Sequence, residues 1–410
     1  MIAIELLHRS LESKLPTALD WLRRMVEINS WTENAGGVNR LARLTAEAFA
    51  ELGFTAEFVP SANPNWGAHL VLARAGSGTH SLALVSHLDT VFPPEEEARN
   101  NFRWQPEGDR IFGPGTHDIK GGTVMIWLVL SALRDLAPDA FAATTWRVFL
   151  NSSEECYSPD FGALVRQRCD TSTLAALVFE AEGRGPGERR LVVARKGRAT
   201  WRVTARGRGA HAGGRHAQGA NAVVQLAGTI QKLAGLTDYS RDLTCNVARV
   251  HGGSGLNRVP HEASAEGEFR AFTPEIFAQA RAAVLALNGA GEVRSVADAY
   301  ACEVCAEILT ENRPWPRNAG TDRLLACWQA AATTLGQRVA GEQRGGLSDG
   351  NLLWDALPTM DGLGPWGDND HCSERTPDGA KLPEFVEVSS FVPKAALNVL
   401  GIIRLLGAPA

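Results

Sequence analysis

The stretch LALVSHLDTVFP, residues 82–93, joins a run of apolar residues to a histidine and an aspartate. A short apolar run bounded by polar residues is typical of a strand that is buried on both faces of a sheet. Three further runs have this character: residues 70–73, 146–150 and 176–179. Helical spacing of apolar residues recurs between them, at 122–133 and 161–167. Strands that alternate with helices predict an α/β domain with a mixed, mostly parallel sheet flanked by helices.

The pattern changes near residue 190, where apolar and polar residues begin to alternate as they do in half-exposed strands. The segments predicted as strands are 191–209, 243–253 and 262–272, and those predicted as helices are 221–233 and 274–287. The earlier pattern then returns and ends with a predicted helix over 385–405. We therefore predict an α/β domain of residues 1–192 and 306–410, interrupted by an inserted α+β domain of residues 193–305.

The overall composition is that of an ordinary globular protein, with 44% hydrophobic and 21% charged residues in a chain of 410. A net charge of −5 with dispersed signs argues against nucleic acid or an anionic membrane as a partner. The longest apolar run, near 124–133, is too short to span a membrane. Glu5 and Glu12 lie where a secretory leader would be apolar, so we expect a cytoplasmic protein.

The seven cysteines are scattered, and an odd number in a long chain does not indicate a disulfide framework. Cys302 and Cys305 form a CxxC pair, but no second pair completes a structural zinc site. We interpret these cysteines as small packing residues.

Acidic or imidazole side chains follow three of the predicted strands. His87 and Asp89 come after the first run and lie two residues apart, so that a carboxylate can stand behind an imidazole and fix its tautomer. Glu154 and Glu155 follow the run at 146–150. These adjacent carboxylates repel each other unless a cation lies between them. Taken alone, each segment is more often a solvated surface feature than a site.

The fourth run ends in ALVFEAEG, where either Glu180 or Glu182 could enter a site, since the two share a face. We favour Glu180 because it comes first after the strand. His371 lies further on, in the Gly- and Asp-rich loop GPWGDNDHCSER. A single histidine in a loop usually has no special role, so this assignment depends on the others.

The loop GPGTHDIKGG, residues 113–122, places Asp118 before a predicted helix. It matches neither the GxxxxGK[ST] nor the GxGxxG pattern, which argues against a nucleotide-binding enzyme. Its glycines permit tight turning beside an acidic residue. Together, histidines and carboxylates at successive strand ends are the ligand types that suit zinc, and ligands of open α/β sheets collect at the carboxyl ends of strands.

Five motifs in order carry a family resemblance: HLDTV, GPGTHDIKGG, the Glu pair after a strand, FE, and a late histidine in a Gly-rich loop. The chain resembles the dinuclear zinc peptidase and deacylase clan, which includes carboxypeptidase G, acetylornithine deacetylase, succinyl-diaminopimelate desuccinylase and the aminoacylases. The motifs span residues 87 to 371, and the inserted domain agrees with this clan. Glu at 180 and HLDTVFP favour its glutamate carboxypeptidase branch.

The resemblance implies two Zn²⁺ ions, for which Co²⁺ or Mn²⁺ could substitute. Asp118 would bridge the ions, with a cis peptide bond after it. The remaining ligands would be His87 and Glu180 for one ion, and Glu155 and His371 for the other. Glu154 would be the general base, and Asp89 would orient His87.

The inserted domain is similar to the lid and dimerisation domain of this clan, which implies a homodimer. Three of its residues match family positions. His211, in GRGAHAG, would reach the scissile carbonyl, in cis or from the partner subunit. Asn257 and Arg270 would hold a substrate carboxylate, a task that suits the planar fork of arginine. From the residues alone, Arg270 is equally an exposed strand residue.

The implied activity is hydrolysis of an amide bond next to a free carboxylate in a small molecule or short peptide. A glutamate-carboxypeptidase-like enzyme that releases a C-terminal amino acid is the first expectation, and an N-acetyl or N-succinyl amino-acid deacylase is the second. A binding protein that kept the fold and lost turnover is the non-enzyme alternative. The chain departs from the family pattern at Ser153, at Tyr157 and in the segment around His371. The resemblance therefore does not specify which substrate the pocket binds.

Overall fold

The computed structural model describes residues 2–185 and 187–407. The helices are α1 (Ile4–Val26), α2 (Ala35–Ala50), α3 (Pro94–Arg99), α4 (Lys120–Leu136), α5 (Pro138–Ala143), α6 (Pro159–Arg168), α7 (Ala222–Ala234), α8 (Pro274–Leu285), α9 (Ala319–Thr334), α10 (Gly350–Leu353) and α11 (Phe391–Gly407). The strands are β1 (Thr55–Val59), β2 (His69–Arg74), β3 (Ser81–His87), β4 (Gln105–Glu107), β5 (Arg110–Phe112), β6 (Thr145–Asn151), β7 (Thr173–Val178), β8 (Gly183–Gly185), β9 (Glu188–Arg195), β10 (Gly197–Arg206), β11 (Thr244–Gly252), β12 (Glu262–Ala271), β13 (Gly289–Arg294), β14 (Ala301–Asn312), β15 (Val339–Arg344), β16 (Thr359–Met360), β17 (Gly367–Asp368) and β18 (Phe385–Glu387).

The chain divides into two compact units. The first unit joins the chain up to Val193 with Arg317–Gln343 and with the chain from Ser348 onward. The second unit comprises Ala194–Pro316 and Arg344–Leu347. The predicted return to the first domain at residue 306 is therefore wrong. β14 runs through that position as a single strand and pairs with β10 in the inserted unit, so the chain returns only after Pro316.

The first unit is built on a six-stranded sheet in the order β1-β2-β6-β3-β7-β16. β3 lies parallel to both β6 and β7, and β16 lies parallel to β7, whereas β1 and β2 are antiparallel to their neighbours. The prediction of a mixed, mostly parallel sheet is confirmed. Parallel strands end at the same edge, so the segments that follow β3, β6 and β7 emerge side by side.

Helices cover both faces of this sheet because its strands are apolar on both sides. Leu82 and Leu84 of β3 join a core that also contains residues of α1, α4 and α11, whereas Ala83 and Val85 join a second core with residues of α6. The alternation of side chains along a strand produces this division.

The last helix differs from its prediction. Residues 385–387 form the short strand β18, which pairs with β5 in a four-stranded sheet of order β17-β18-β5-β4, and α11 begins only at Phe391. By length and composition, Val388–Gly407 is the one segment of the described chain that could cross a membrane. Because 61% of its apolar window is buried in the protein, it packs as a core helix does.

The inserted unit contains a five-stranded antiparallel sheet in the order β11-β12-β10-β14-β13. Every second residue of β10 is buried, and these residues form a core with apolar side chains of α7 and α8. One face of the sheet is therefore packed under helices, and the other carries the polar side chains that the alternating sequence predicts.

Candidate metal centre and active site

Three strand ends deliver the candidate site residues of the first unit. His87 is the last residue of β3 and is buried. β6 ends at Asn151, and a short 3₁₀ helix, Glu154–Cys156, follows it. β7 ends at Val178, two residues before Glu180. Neighbouring backbone hydrogen bonds fix these ends against one another, such as that from Leu88 N to Asn151 O at 2.7 Å.

The carboxylate of Asp118 lies between two imidazoles. Its Oδ1 is 2.9 Å from His87 Nε2, and its Oδ2 is 3.4 Å from His371 Nε2. The peptide bond between Asp118 and Ile119 is cis. Each oxygen of one carboxylate therefore faces a different histidine.

Two groups of potential metal ligands share this carboxylate. One group contains His87, Asp118 and Glu180, and the other contains Asp118, Glu155 and His371; in each, the donor atoms lie within 4.8 Å of one another. Glu180 Oε1 is 3.7 Å from His87 Nε2, and Glu155 Oε2 is 3.4 Å from His371 Nε2. The structure thus brings together all five residues that the sequence suggested as ligands.

Asp89 connects the two sides of the site. It faces His87 Nδ1 with its backbone oxygen at 3.0 Å and its Oδ1 at 3.4 Å. Its carboxylate also accepts hydrogen bonds from the backbone N–H groups of Glu154, at 3.0 Å, and Glu155, at 3.2 Å, and from Thr32 Oγ1 at 2.7 Å. One buried carboxylate therefore orients an imidazole and holds the turn that presents both glutamates.

The electrostatics of the site show a surplus of buried negative charge. Burial, together with the charge of Asp118, raises the pKa of Glu155 to about 7. Hydrogen bonds with Asp118 and Glu155 raise the pKa of His371 to about 11. Burial opposes the charging of His87, but its hydrogen bonds to Asp118 and Asp89 outweigh this effect and hold its pKa well above the usual range.

This surplus fits bound cations. Clustered carboxylates in a buried site retain protons unless positive charge compensates them, and a divalent cation supplies such charge. Histidine nitrogens and carboxylate oxygens in two groups of three are donor sets that accept zinc or a related divalent ion.

Glu154 belongs to neither group of ligands. Its carboxyl is half-buried, and burial raises its pKa well above the usual value, with a further contribution from the charge of Asp349. The charges of Glu155 and Glu180 act in the same direction. Glu154 therefore presents a carboxyl group beside the two groups while its backbone is fixed by Asp89.

Glu180 and Glu182 differ in their contacts. Glu182 Oε2 is 2.5 Å from Arg189 Nη1, and its Oε1 is 3.2 Å from Lys394 Nζ, where both Glu182 and Lys394 are fully buried. A buried carboxylate that is paired in this way is committed to the fold. Glu180 is the member that reaches His87.

Two acidic residues near the site were not predicted to belong to it. Glu384 is fully buried, and its Oε1 accepts hydrogen bonds from the backbone N–H groups of His117, at 2.9 Å, and Asp118, at 3.1 Å. Asp349 is buried and accepts a hydrogen bond from Asn151 Nδ2 at 2.7 Å. Glu384 directly precedes an apolar strand, which is the signal that could have revealed it.

Side chains of the Asp118 loop and the His371 loop also touch. His117 Nδ1 forms a short hydrogen bond to Asp370 Oδ1, so the residues that precede Asp118 and His371 in sequence are joined. All seven cysteines are free, including Cys156 and Cys372 beside the candidate ligands, and Cys302 and Cys305 of the CxxC pair.

In the inserted unit, His211 is exposed and its ring has a defined tautomer. Its Nδ1 accepts hydrogen bonds from the N–H groups of Gly213, at 3.2 Å, and Gly214, at 3.0 Å. When the ring is neutral, its proton is therefore on Nε2, which can donate outward. The backbone of the exposed Asn257 lies beside it, since Ala212 N donates to Asn257 O at 2.9 Å.

Arg270 has partners within the inserted unit. Its Nε is 2.7 Å from Glu268 Oε1, and its Nη2 is 3.3 Å from Glu268 Oε2. Its Nη1 donates to Gly345 O at 3.0 Å. The guanidinium is thus oriented by a neighbouring carboxylate, and any ligand carboxylate that it binds must compete with Glu268.

Comparison with known proteins gives a family match in the inserted unit and similarity over the whole chain. Residues 193–290 match the model of the peptidase dimerisation domain, M20_dimer. Carboxypeptidase G2 of Pseudomonas sp. (strain RS-16) is 26% identical over 408 residues, which cover 98% of this chain and 92% of that protein. Acetylornithine deacetylase of Erwinia tasmaniensis is 25% identical over 273 residues, covering 61% and 66% of the two chains.

Solved structures share the fold along the whole chain. Aminopeptidase PepT from Bacillus cereus has a TM-score of 0.75 at 20% identity and covers 96% of this chain and 99% of its own. YXEP from Bacillus subtilis, described as a dinuclear metal-binding peptidase of the M20 family, has a TM-score of 0.67 at 14% identity, with coverage of 96% and 99%.

Proposed function

Because this chain belongs to the M20 family of peptidases and related amidohydrolases, we propose that it hydrolyses an amide bond next to a free carboxylate with the help of two divalent cations. The first candidate is a glutamate-carboxypeptidase-like reaction that releases a C-terminal amino acid. The observation that carries the proposal is the carboxylate of Asp118, whose two oxygens face His87 and His371 separately.

The cations would be held by five residues. His87 and Glu180 would bind one, Glu155 and His371 the other, and Asp118 both. We propose zinc, since imidazole and carboxylate ligands suit it, with Co²⁺ or Mn²⁺ as substitutes. When bound, the ions would polarise the scissile carbonyl and lower the pKa of water at the site.

Glu154 would move the proton in this reaction. Its carboxylate would accept a proton from the attacking water and later donate it to the leaving amine, as a general base and then a general acid. The hydrogen bond from Glu154 N to Asp89, at 3.0 Å, would keep the carboxylate oriented during both steps. Asp89 would thereby position Glu154 as well as His87.

The residues of the inserted unit would act on the substrate. His211 would donate from Nε2 to the oxygen on which negative charge develops, since its Nδ1 is already an acceptor. Asn257 and Arg270 would bind the carboxylate beside the cleaved bond. For Arg270, this requires that the substrate carboxylate take over donors now directed at Glu268.

A homodimer would form through the inserted unit, whose residues 193–290 match the dimerisation domain. β11 is at the edge of its sheet, and Val250 on that strand and Val224 on α7 are each 55% exposed. Exposed apolar residues at an open edge are suited to pairing with a second copy. Val250→Lys should shift the molecular mass measured by light scattering from dimer to monomer.

A second candidate is an N-acyl amino-acid deacylase that removes an acetyl or succinyl group. The similarity to acetylornithine deacetylase, at 25% identity, favours it. The two candidates share the metal ligands, Glu154 and a recognised carboxylate on the amine side of the amide, and differ in the acyl group: a peptide or larger acyl group in the first, an acetyl or succinyl group in the second. They are therefore separated by substrate and not by mechanism.

The test is release of free amino acid from N-acyl amino acids and from glutamyl, aspartyl and aromatic C-terminal peptides, with zinc added. Glu154→Gln should retain the metal content of the wild type and lower kcat by about 10²- to 10⁴-fold. Glu95→Gln, on the exposed side of α3, is the matched control and should leave both unchanged. Turnover that persists in Glu154→Gln, or in chelator-treated protein, would rule the proposal out.

A further inference from the structure

The outer face of β10 carries three arginines at intervals of four residues. Residues two apart on a strand share a face, so Arg198, Arg202 and Arg206 point to the same side of the sheet. The alternate residues of the strand face the core; they are Ala199, Trp201, Val203 and Ala205. Because β10 is flanked by β12 and β14, each arginine has a register partner on both sides.

Two of these arginines lie between glutamates. Arg202 is opposite Glu266 on β12 and Glu307 on β14, with nitrogen–oxygen distances of 2.8 and 3.4 Å. The register partners of Arg206 are Glu262 and Glu303. Opposite charges across strands stabilise a sheet, so this face is a ladder of compensated charge.

Arg198 breaks the ladder. Its register partners are Arg270 on β12 and Asn312 on β14. The Nε of Arg198 is inaccessible to solvent and has no hydrogen-bond partner among the described residues. Asn312 is 5% exposed, and its Oδ1 is likewise without a partner.

Arg270 carries the same positive charge as Arg198, and Glu268 compensates the charge of Arg270 alone. Like charges directly opposite each other destabilise a sheet, and a buried polar group without a partner costs free energy. A ligand that brings a carboxylate to Arg198 would remove both penalties. The planar fork of a guanidinium matches a carboxylate in two hydrogen bonds.

We propose that Arg198 and Asn312 form a carboxylate-binding subsite of the inserted unit. The ligand group at Arg198 is a carboxylate separate from the one assigned to Arg270, and Asn312 Oδ1 accepts a hydrogen bond from an N–H or O–H of the same ligand. The ligand class is an N-acylated amino acid with a second carboxylate in its side chain. This inference rests on the proposed function, because it refines the substrate of that reaction.

The test measures binding by calorimetry to the zinc-loaded, full-length chain. The Glu154→Gln background keeps turnover from consuming the probe. The probes are N-acetyl-L-glutamate and N-acetyl-L-glutamine, which differ in one carboxylate. Arg198→Met should weaken binding of N-acetyl-L-glutamate by about tenfold to a hundredfold, the range for loss of a charge-assisted hydrogen bond, and leave N-acetyl-L-glutamine unchanged. Arg202→Met is the matched control and should change neither.

Several results would overturn the inference. These are unchanged binding of N-acetyl-L-glutamate in Arg198→Met, equal losses for both probes, an equal loss in Arg202→Met, or no binding of either probe to the background chain. Arg198→Met should also melt at or above the temperature of its background, because it removes an uncompensated cation, whereas a purely structural role predicts a lower value. Selective loss of N-acetyl-L-glutamate without any amide turnover in the Glu154-containing chain would contradict the proposed function and leave the subsite standing.

Discussion

The two histidines of the candidate metal centre are held in different ways. His87 ends a central strand, its side chain is 1% exposed, and Asp89 faces its second ring nitrogen. His371 lies in a loop, its side chain is 54% exposed, and its backbone has a φ of 61°. A side chain at the end of a packed strand is fixed before any ligand arrives, whereas an exposed loop residue can adjust. The centre therefore combines a rigid half, around His87, with an adaptable half, around His371.

Asp118→Ala should have the largest effect, because it removes the residue that the two halves share. We expect loss of both bound ions and a fall in kcat of about 10³-fold or more, since water activation and carbonyl polarisation are lost together. Metal analysis of the purified protein and amide hydrolysis measure these quantities. Asp139→Asn, at the start of α5, is the control and should behave as the wild type. Two ions retained by Asp118→Ala would show that the halves are independent.

His87→Ala and His371→Ala compare the halves directly. In the metal-free protein, His87→Ala should lower the free energy of unfolding by about 1–3 kcal/mol, because Asp89 and Asp118 lose a buried hydrogen-bond partner. His371→Ala should lower it by a smaller amount, because solvent screens the contacts that a 54% exposed side chain makes with Asp118 and Glu155. Urea denaturation of chelator-treated protein gives both values. Equal losses would contradict the distinction between a rigid and an adaptable half.

Asp89→Asn should weaken metal binding to the rigid half by about 10- to 100-fold, the range for partners of ligating histidines. Asp370→Asn alters the acidic partner of His117 near the adaptable half and should have a smaller effect on affinity. Competition with a chelating dye measures the affinity of each variant. The comparison would be reversed if Asp370→Asn were the more damaging of the two.

Substitution of Asp160 should have the smallest effect, because this residue supports the rigid half only indirectly, through hydrogen bonds to the segments packed behind it. It accepts hydrogen bonds from Ala62 N at 2.7 Å and from His69 Nε2 at 3.1 Å, while His69 Nδ1 accepts one from Ser152 N on the segment before Glu154. Partial burial opposes ionisation of Asp160, but these hydrogen bonds outweigh it and lower its pKa.

A carboxyl whose pKa is lowered by folding stabilises the protein above its unfolded pKa of about 4, and this contribution is lost as the pH falls through the folded pKa. Asp160→Asn should therefore cost about 1 kcal/mol of unfolding free energy at pH 7. The difference between wild type and variant should shrink steadily below pH ~4. A difference that stays constant across this range would show that the charge of Asp160 does not contribute.

The rigid half could be predicted from the sequence more fully than the adaptable half. Apolar runs located the strands, and the ends of parallel strands fix where His87, Glu154 and Glu180 emerge. Nothing local in the loop around His371 specifies its approach to Asp118, so that assignment depended on family resemblance. Glu384 was missed because its partners are backbone N–H groups more than 260 positions away in the chain.

The domain boundary was misplaced for a different reason. The inward-facing residues Cys302, Val304 and Ala306 continue the alternation of a half-exposed strand past residue 305. This periodicity is that of the inserted unit and not that of the buried strands of the first unit. The prediction ended the inserted domain in the middle of a strand, although the alternation itself indicated that the strand continued.

If two cations share Asp118 as proposed, their binding steps are thermodynamically linked. A cation held by one carboxylate oxygen would change the charge and orientation that the other oxygen presents, so the first occupancy would alter the affinity of the second. Linkage of this kind is reciprocal, and the same coupling free energy governs loading and release of either ion. A metal titration should then follow two interdependent steps, and variation of the metal concentration would control how many ions each molecule carries.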